Sequence, residues 1–152
     1  ETNNSVTWPN DQYSQVTYAS NTESSGAGSG SGPTCREATG ATQTYYRAVG
    51  NPSGYELVRV VAGSGTSLSS GAGTTFTTAD TLYLSVVTNG ANADWVLKKN
   101  GSTFASGSDT SPIASGRAGI GHSSTNTSAL SAWEGGDFAG GTPANFYRRR
   151  VQ

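Results

Sequence analysis

Acidic side chains come first among the residues that could do chemistry, because two carboxyl groups can act as general acid and general base. Glu134 and Asp137 lie three residues apart across Gly135-Gly136, where a capping or turn role is the common one. The other carboxyl groups are scattered along the chain, and the full set is Glu1, Asp11, Glu23, Glu37, Glu56, Asp80, Asp94, Asp109, Glu134 and Asp137. The acidic residues therefore predict no catalytic pair.

The single histidine, His122, raises the question of an activated serine. Hydrolases with a Ser-His-Asp triad commonly place the serine in a Gly-x-Ser-x-Gly turn. No such stretch occurs in the sequence. We therefore predict that the protein is not an enzyme.

Aromatic and arginine side chains suggest a different chemistry, which is sugar binding. Sugars are held by aromatic faces that stack on C–H groups and by planar polar groups that bond hydroxyls, and the chain has 3 Trp and 7 Tyr. Aromatic residues on strands more often pack in the core or across strands, so both interpretations stay open. The predicted ligand-binding residues are Arg36, Tyr46, Arg59 and Trp133.

Metal ligands are sparse in the sequence. Ca²⁺ takes roughly six to eight oxygen ligands; Asp109 and Asp137 could each supply one, but no complete set is visible. Cys35 is the only cysteine, which excludes an intrachain disulfide and predicts a small buried side chain. We predict no cofactor, with Ca²⁺ the one ion left open.

Strands must position these side chains, and residues 81–87 show the pattern most clearly. Leu82, Leu84 and Val86 alternate with their neighbours, as expected for a strand with one face on a core. After a loop at residues 88–93, the chain predicts two more antiparallel strands.

Those two strands are residues 94–99 and 103–105, joined at Asn100-Gly101, a dipeptide that suits a tight hairpin turn. Similar short segments recur along the chain, about nine or ten in all. The sequence therefore predicts an all-β fold, a two-sheet antiparallel β-sandwich.

Size and composition favour one domain and argue against two classes of protein. The chain has 152 residues, 21 of them Gly, and only 12% are charged. Its net charge of -1 gives no pull toward nucleic acid, and no apolar run approaches the roughly 20 residues of a membrane span. Because the chain starts at Glu1 and not at a methionine, we expect either a processed protein or a piece of a longer polypeptide, secreted or displayed on a surface.

The order of several short motifs adds a resemblance to a known family. The motifs are Trp8 and residues 11–16 (DQYSQV), 32–36 (GPTCR), 45–46 (YY), 54–57 (GYEL), 80–84 (DTLYL), 99–101 (KNG), 116–120 (GRAGI) and 133–138 (WEGGDF). Together they resemble the concanavalin A-like lectin and glucanase superfamily in its laminin-G-like bacterial and phage form. The resemblance covers most of residues 8–138.

This resemblance implies a concanavalin A-like jelly roll that binds glycans on a concave face or at the sheet rim. It also implies a secreted, cell-surface or virion protein. The glycosidases of the superfamily offer their carboxyl groups as Glu-x-Asp-x-x-Glu or a near variant, and this chain has no such triplet. We therefore keep the prediction of a non-enzymatic protein, although the superfamily includes glycosidases.

The two ends of the chain depart from the family pattern. The segment before Trp8 is short, and residues 139–152 extend past the expected last strand, ending in an aromatic and basic sequence. We predict a jelly-roll β-sandwich over residues 1–138 and a C-terminal extension over 139–152. Our hypothesis is that the tail or the N-terminal lead-in fills a sheet edge, in its own subunit or in a neighbour's.

Two classes of function follow. The first is a non-enzymatic, extracellular carbohydrate-binding or adhesion module, with a glycan as partner. The alternative is a structural subunit of an extracellular filament, virion decoration or surface layer, a homo-oligomer or polymer that assembles through edge strands or termini. Neither class involves nucleic acid or a membrane span.

Overall fold

The computed structural model describes residues 8–22, 30–38, 40, 42–122 and 128–138, together with the backbone of residues 146–150. Every regular element in this part of the chain is a β-strand. The strands are β1 (Gln12–Ser20), β2 (Gly32–Glu37), β3 (Tyr45–Asn51), β4 (Gly54–Val61), β5 (Ser64–Gly71), β6 (Thr81–Asn89), β7 (Asn92–Lys99), β8 (Ser102–Asp109), β9 (Arg117–Gly121), β10 (Ala129–Asp137) and β11 (Phe146–Arg150). The described residues include no helix with the length and hydropathy of a membrane span.

The strands form two antiparallel sheets that pack face to face. The six-stranded sheet has the order β11-β10-β1-β6-β7-β8, and the five-stranded sheet has the order β5-β4-β3-β2-β9. The predicted all-β, two-sheet antiparallel sandwich is therefore confirmed, and its architecture is compatible with a jelly roll.

The core lies between the sheets and follows the alternation in the sequence. In β6, Leu82, Leu84 and Val86 are fully buried, as the period-two pattern predicted. Opposite them, the five-stranded sheet contributes Cys35 from β2 and Leu57 from β4, both also inaccessible to solvent. The inward-facing apolar side chains of both sheets thus form one continuous core.

The predicted hairpin at Asn100-Gly101 is confirmed by its backbone. Asn100 has φ 49° and Gly101 has φ 83°, the two positive values that a type I′ turn requires. The Asn100 side chain accepts a hydrogen bond from the Thr81 N–H at 2.8 Å and donates one to Asp80 Oδ1 at 2.7 Å. These contacts tie the turn to the beginning of β6.

The preceding connection is tighter than the predicted loop over residues 88–93. Strand β6 continues to Asn89, which lies in register with Asn92 of β7. Gly90 has φ 62°, so a short turn closes the hairpin there. Thr88 and Asn89 therefore extend the β6–β7 ladder, because Gly90 supplies the left-handed backbone that the turn needs.

The C-terminal segment adds an eleventh strand to the nine or ten expected. β11 pairs antiparallel with β10, and Phe146 lies in register with Gly136. It thereby covers one edge of the six-stranded sheet within the same chain. Residues 1–7, 139–145 and 151–152 lie outside the described residues, and the domain boundary at residue 138 stays a prediction.

Candidate ligand-binding cleft

The predicted site residue Arg36 lies inside the sandwich, where its side chain joins several loops. The residue is 1% exposed. Its guanidinium donates hydrogen bonds to the Asn10 carbonyl through Nε at 2.8 Å, to the Ile113 carbonyl at 2.6 Å and to Thr88 Oγ1 at 2.9 Å. Three well-made hydrogen bonds satisfy much of its donor capacity and fix it as a cross-link.

A break in the β2–β9 ladder explains why Arg36 turns inward. The register shifts between Thr34 and Glu37, and Arg36 has φ 53° at that point. Its backbone N–H, displaced from the ladder, donates instead to Gln12 Oε1 at 2.8 Å. This bulge reverses the simple alternation of β2 and places Glu37 on the outer face.

Two further predicted residues, Tyr46 and Arg59, meet at a buried carboxylate. Asp109 is 4% exposed and accepts from the Tyr46 hydroxyl at 2.7 Å and from Arg59 at 2.6 Å. The Ser111 N–H also donates to Asp109, at 3.0 Å. Tyr46 is fully buried, and burial together with its hydrogen bond to Asp109 raises the pKa of its hydroxyl.

Burial on its own would raise the pKa of Asp109, but its hydrogen bonds act in the opposite direction. The Ser111 N–H and the Tyr46 hydroxyl stabilise the charged form, and Arg59 adds both a hydrogen bond and a positive charge. The net result holds the pKa of Asp109 below its ordinary value of 3.8. The carboxylate is therefore ionised and fully engaged with protein donors.

Trp133, the fourth predicted residue, is half-buried between the sheets. Its Nε1 donates to Ser14 Oγ at 2.8 Å and to the Gly119 carbonyl at 3.0 Å. Ser14 Oγ donates to the same carbonyl at 2.7 Å. Trp133 therefore anchors β9 to the opposite sheet.

The structure thus brings Tyr46 and Arg59 together at Asp109. Arg36 joins them indirectly, because Ile113 accepts from Arg36 and donates its N–H to the Tyr46 hydroxyl at 3.0 Å. Trp133 lies apart from this group, at the β9 side of the sandwich. All four side chains have protein partners, and contact with a ligand stays a prediction for each.

The carboxylates considered for Ca²⁺ do not assemble a set of ligands. Both oxygens of Asp109 accept hydrogen bonds from protein donors. In the part of the chain that the structure describes, no three His, Cys, Asp or Glu side chains cluster as metal ligands.

A cleft of about 190 Å³ opens on the outer face of the five-stranded sheet, above β2, β3 and β9. Its lining is polar, with one tyrosine and both signs of charge. The lining residues are Thr34, Glu37, Ala38, Gly40, Gln43, Thr44, Tyr45, Arg47, Ile120, Gly121 and His122.

Strand alternation points Tyr45 and Arg47 into this cleft. Cys35 and Tyr46 lie opposite each other and face the core, so their neighbours Thr34 and Arg47, also opposite each other, face outward. The Arg47 guanidinium carbon lies 5.9 Å from the centre of the Tyr45 ring, a cation–π distance. The pair forms one wall of the cleft.

Two glycines of β9 lie beneath side chains that line the cleft, and one of them, Gly121, lines it directly. A Cβ at Gly121 would come within 2.6 Å of Arg47 Cδ and 3.0 Å of Thr34 Cγ2. A Cβ at Gly119 would come within 2.9 Å of Glu37 Oε2. The absence of side chains at these positions lets Arg47 and Glu37 lie flat across the sheet.

The remaining polar groups of the cleft are also held in place. Thr34 Oγ1 donates to Glu37 Oε2 at 2.9 Å. The exposed His122 ring interacts through Nδ1 with the Ser31 hydroxyl. The cleft therefore presents pre-arranged hydrogen-bonding groups.

Two of the predicted residues, Arg36 and Tyr46, point into the sandwich. Their neighbours in sequence, Glu37 and Tyr45, line the cleft together with Arg47. A usable signal was present, because residues 45, 47 and 49 share one strand face and residues 46, 48 and 50 share the other. The glycines at alternate positions of β9 were a second signal, since they mark a surface against which side chains can lie.

No family model, curated protein or solved structure matches this chain in the three comparisons made. The fold itself is an antiparallel two-sheet sandwich.

Proposed function

We propose that the protein is a non-enzymatic carbohydrate-binding or adhesion module and that the cleft over β2, β3 and β9 is its glycan site. The observation that carries this proposal is the lining itself. One tyrosine, one arginine, one glutamate and one histidine converge there with a glutamine and two threonines. Such groups satisfy the hydroxyls and the C–H faces of a sugar.

Binding without hydrolysis fits the single carboxylate of the cleft. Glycoside hydrolysis uses two carboxyl groups that flank the bond to be cleaved. Glu37 is the one acidic residue of the lining, and Thr34 Oγ1 donates to it. A lone carboxylate bonded in this way serves as a hydrogen-bond acceptor.

The size of the cleft sets the size of the ligand. Typical small-molecule sites measure roughly 300–1,000 Å³, and this cleft measures about 190 Å³. We propose that it holds one sugar unit, such as a chain end or a branch. The location that suits this role is extracellular, on a secreted protein, a cell surface or a virion, as the resemblance to concanavalin A-like domains implies.

Replacing Tyr45 with alanine tests the site. Tyr45→Ala removes the aromatic wall and its cation–π contact with Arg47, so we expect at least a tenfold loss of affinity for the best ligand found on a glycan array. The measurement is isothermal titration with that ligand.

Tyr83→Ala is the matched control. Tyr83 is a half-buried tyrosine on the outer face of the other sheet, where it stacks on Tyr13 with ring centres 5.8 Å apart. The Tyr83→Ala variant should bind the ligand with the same affinity as the unaltered protein. A loss confined to Tyr83→Ala would place binding on the six-stranded sheet and contradict our assignment.

A structural subunit remains the second proposal, and the free strand edges favour it. Tyr55 of β4 packs on Phe104 of β8 with ring centres 4.8 Å apart, so β5 and β8 are the edges on one side of the sandwich. Asp109, buried at the end of β8, is the one charged residue in either strand. Uncharged edges favour pairing with another copy. Sedimentation velocity over a concentration series separates a monomeric module from a self-assembling subunit.

A further inference from the structure

We propose that Asn89 is a site of spontaneous covalent modification, at which the following backbone nitrogen displaces the side-chain amide and leaves aspartate or isoaspartate. This inference goes beyond the proposed function and does not depend on it. It starts from two Asn-Gly pairs, Asn89-Gly90 and Asn100-Gly101, which lie in the turns at the two ends of β7.

The reaction needs no partner other than water. The Gly90 nitrogen loses its proton to hydroxide and attacks Cγ of Asn89. The new C–N bond closes a cyclic succinimide, and the Cγ–Nδ2 bond breaks, so that Nδ2 leaves as ammonia with a proton from water. Water then opens the ring at either carbonyl, which leaves aspartate or isoaspartate at position 89. Glycine favours the attack because it has no side chain to obstruct it, and the reacting groups are held together by the chain.

The first pair is poorly restrained. Asn89 ends β6, and Gly90 lies outside both strands, so the Gly90 N–H is not part of the β6–β7 ladder. Among the described residues, the Asn89 side chain makes a single hydrogen bond, from Nδ2 to Asp94 Oδ2 at 2.8 Å. A Cβ at Gly90 would meet no atom within 4 Å, so the turn has open space in which the ring can close.

The second pair is held in place. Asn100 Oδ1 accepts hydrogen bonds from the N–H and the hydroxyl of Thr81, at 2.8 and 3.3 Å, and Nδ2 donates to Asp80 Oδ1 at 2.7 Å. Because Cγ must rotate toward the next backbone nitrogen before the ring can close, Asn100 would first have to lose these contacts. Both asparagines are exposed, so accessibility does not distinguish them.

The modification changes the charge of the β6–β7 turn. A carboxylate at position 89 would face the carboxylate of Asp94, and like charges on neighbouring strands destabilise a sheet. Isoaspartate also inserts an extra carbon into the backbone next to Thr88, whose hydroxyl accepts from Arg36 at 2.9 Å. The reaction therefore loosens a turn of the six-stranded sheet, whereas the candidate cleft lies on the five-stranded sheet.

Incubation of the purified full chain at pH 8 and 37 °C, followed by trypsin digestion and mass spectrometry, tests the proposal. Lys98 and Lys99 separate the two sites, so cleavage after them places each asparagine in its own peptide. We expect the Asn89 amide to be lost at least fivefold faster than the Asn100 amide, and an isoaspartyl methyltransferase to label the Asn89 peptide. In urea, where the contacts of Asn100 are lost, the two rates should agree within about twofold.

Equal rates at the two sites of the folded protein, or a faster reaction at Asn100, would overturn the proposal. A folded chain that keeps the Asn89 amide while the chain in urea loses it would overturn it too. Asn89→Gln is the matched variant, because its longer side chain closes the corresponding ring far more slowly. This variant should lose the methyltransferase label, and a label that persists would contradict the assignment to Asn89.

Discussion

At the scale of single residues, the polar groups between the sheets are as specific as the apolar ones. Asp109 illustrates this. Its carboxylate, at the end of β8, accepts hydrogen bonds from Tyr46 and Arg59 of the five-stranded sheet and from the Ser111 N–H in the loop that follows β8. A buried carboxylate is tolerated only when such partners replace the water it has lost. The network therefore fixes how the β8–β9 connection sits on the sandwich.

Replacing Asp109 with asparagine should destabilise the protein by about 3 kcal/mol at pH 7. The substitution leaves Arg59 without its charged partner and turns an amide N–H₂ toward donors. Unfolding in guanidinium chloride measures the change. Asp94→Asn is the control, because Asp94 is only half-buried and takes a hydrogen bond from the exposed Asn89; it should cost less than about 0.5 kcal/mol.

The advantage of Asp109 over asparagine should depend on pH. Its pKa is lowered in the folded protein, so its contribution is present above the ordinary value of 3.8 and is lost as the pH falls through the lower folded value. The stability difference between the two proteins should therefore be constant from pH 7 to 5 and shrink below 3.8. A difference that grows on acidification would contradict the ionised network.

At the scale of elements, turns and glycines decide what the strands can present. The β7–β8 hairpin depends on two residues with positive φ, and the Arg47 and Glu37 side chains of the cleft lie over two glycines of β9. The same residue type thus serves backbone conformation in one place and close approach in the other.

Gly101→Ala should destabilise the protein by about 1 kcal/mol, because φ 83° is strained for any residue with a Cβ. A Cβ at Gly101 meets no atom within 4 Å, so the effect reports the backbone alone. Gly73→Ala is the matched control, since Gly73 has equally open surroundings and no positive φ. Equal midpoints of chemical unfolding for the two variants would exclude a conformational role for Gly101.

The elements were largely predictable from the sequence, whereas the lining of the candidate cleft was not. Alternation in residues 81–87 and the Asn100-Gly101 turn reflect local preferences, which act within a few residues. Tyr45 and Tyr46 have the same side chain, and only the charged Arg47, two residues after Tyr45, indicates which of the two tyrosines faces outward. The bulge at Arg36 was also hidden, because it depends on Gln12, which contacts it from the other sheet.

At the scale of the whole molecule, the two sides of the sandwich have different edge strands. On one side β11 pairs with β10, and the Trp133 side chain donates a hydrogen bond to the Gly119 carbonyl of β9. On the other side β5 and β8 end the two sheets. β11 and β9 end the sheets on the first side, but they contain arginines, Arg117 in β9 and Arg148, Arg149 and Arg150 in β11. Assembly through strand pairing is therefore favoured on the uncharged β5 and β8 side.

Deleting residues 140–152 removes β11 and should lower the free energy of unfolding by about 1–2 kcal/mol. The estimate is the net of a few ladder hydrogen bonds against the ordering of a five-residue strand. Chemical unfolding and sedimentation velocity measure stability and assembly together. Removing residues 151–152 alone keeps β11 and is the control; unchanged stability and assembly on the longer deletion would exclude an edge-filling role for the tail.

Gly119 has a consequence for how this protein can diversify. Its carbonyl receives Ser14 and Trp133 on one side of the sheet, and its missing side chain admits Glu37 on the other. Selection for a new specificity of the proposed glycan site can thus act on cleft positions such as Gln43 and Tyr45, one at a time. At Gly119 it meets two requirements at once, so we expect descendants of this chain to vary the rim and to retain that glycine.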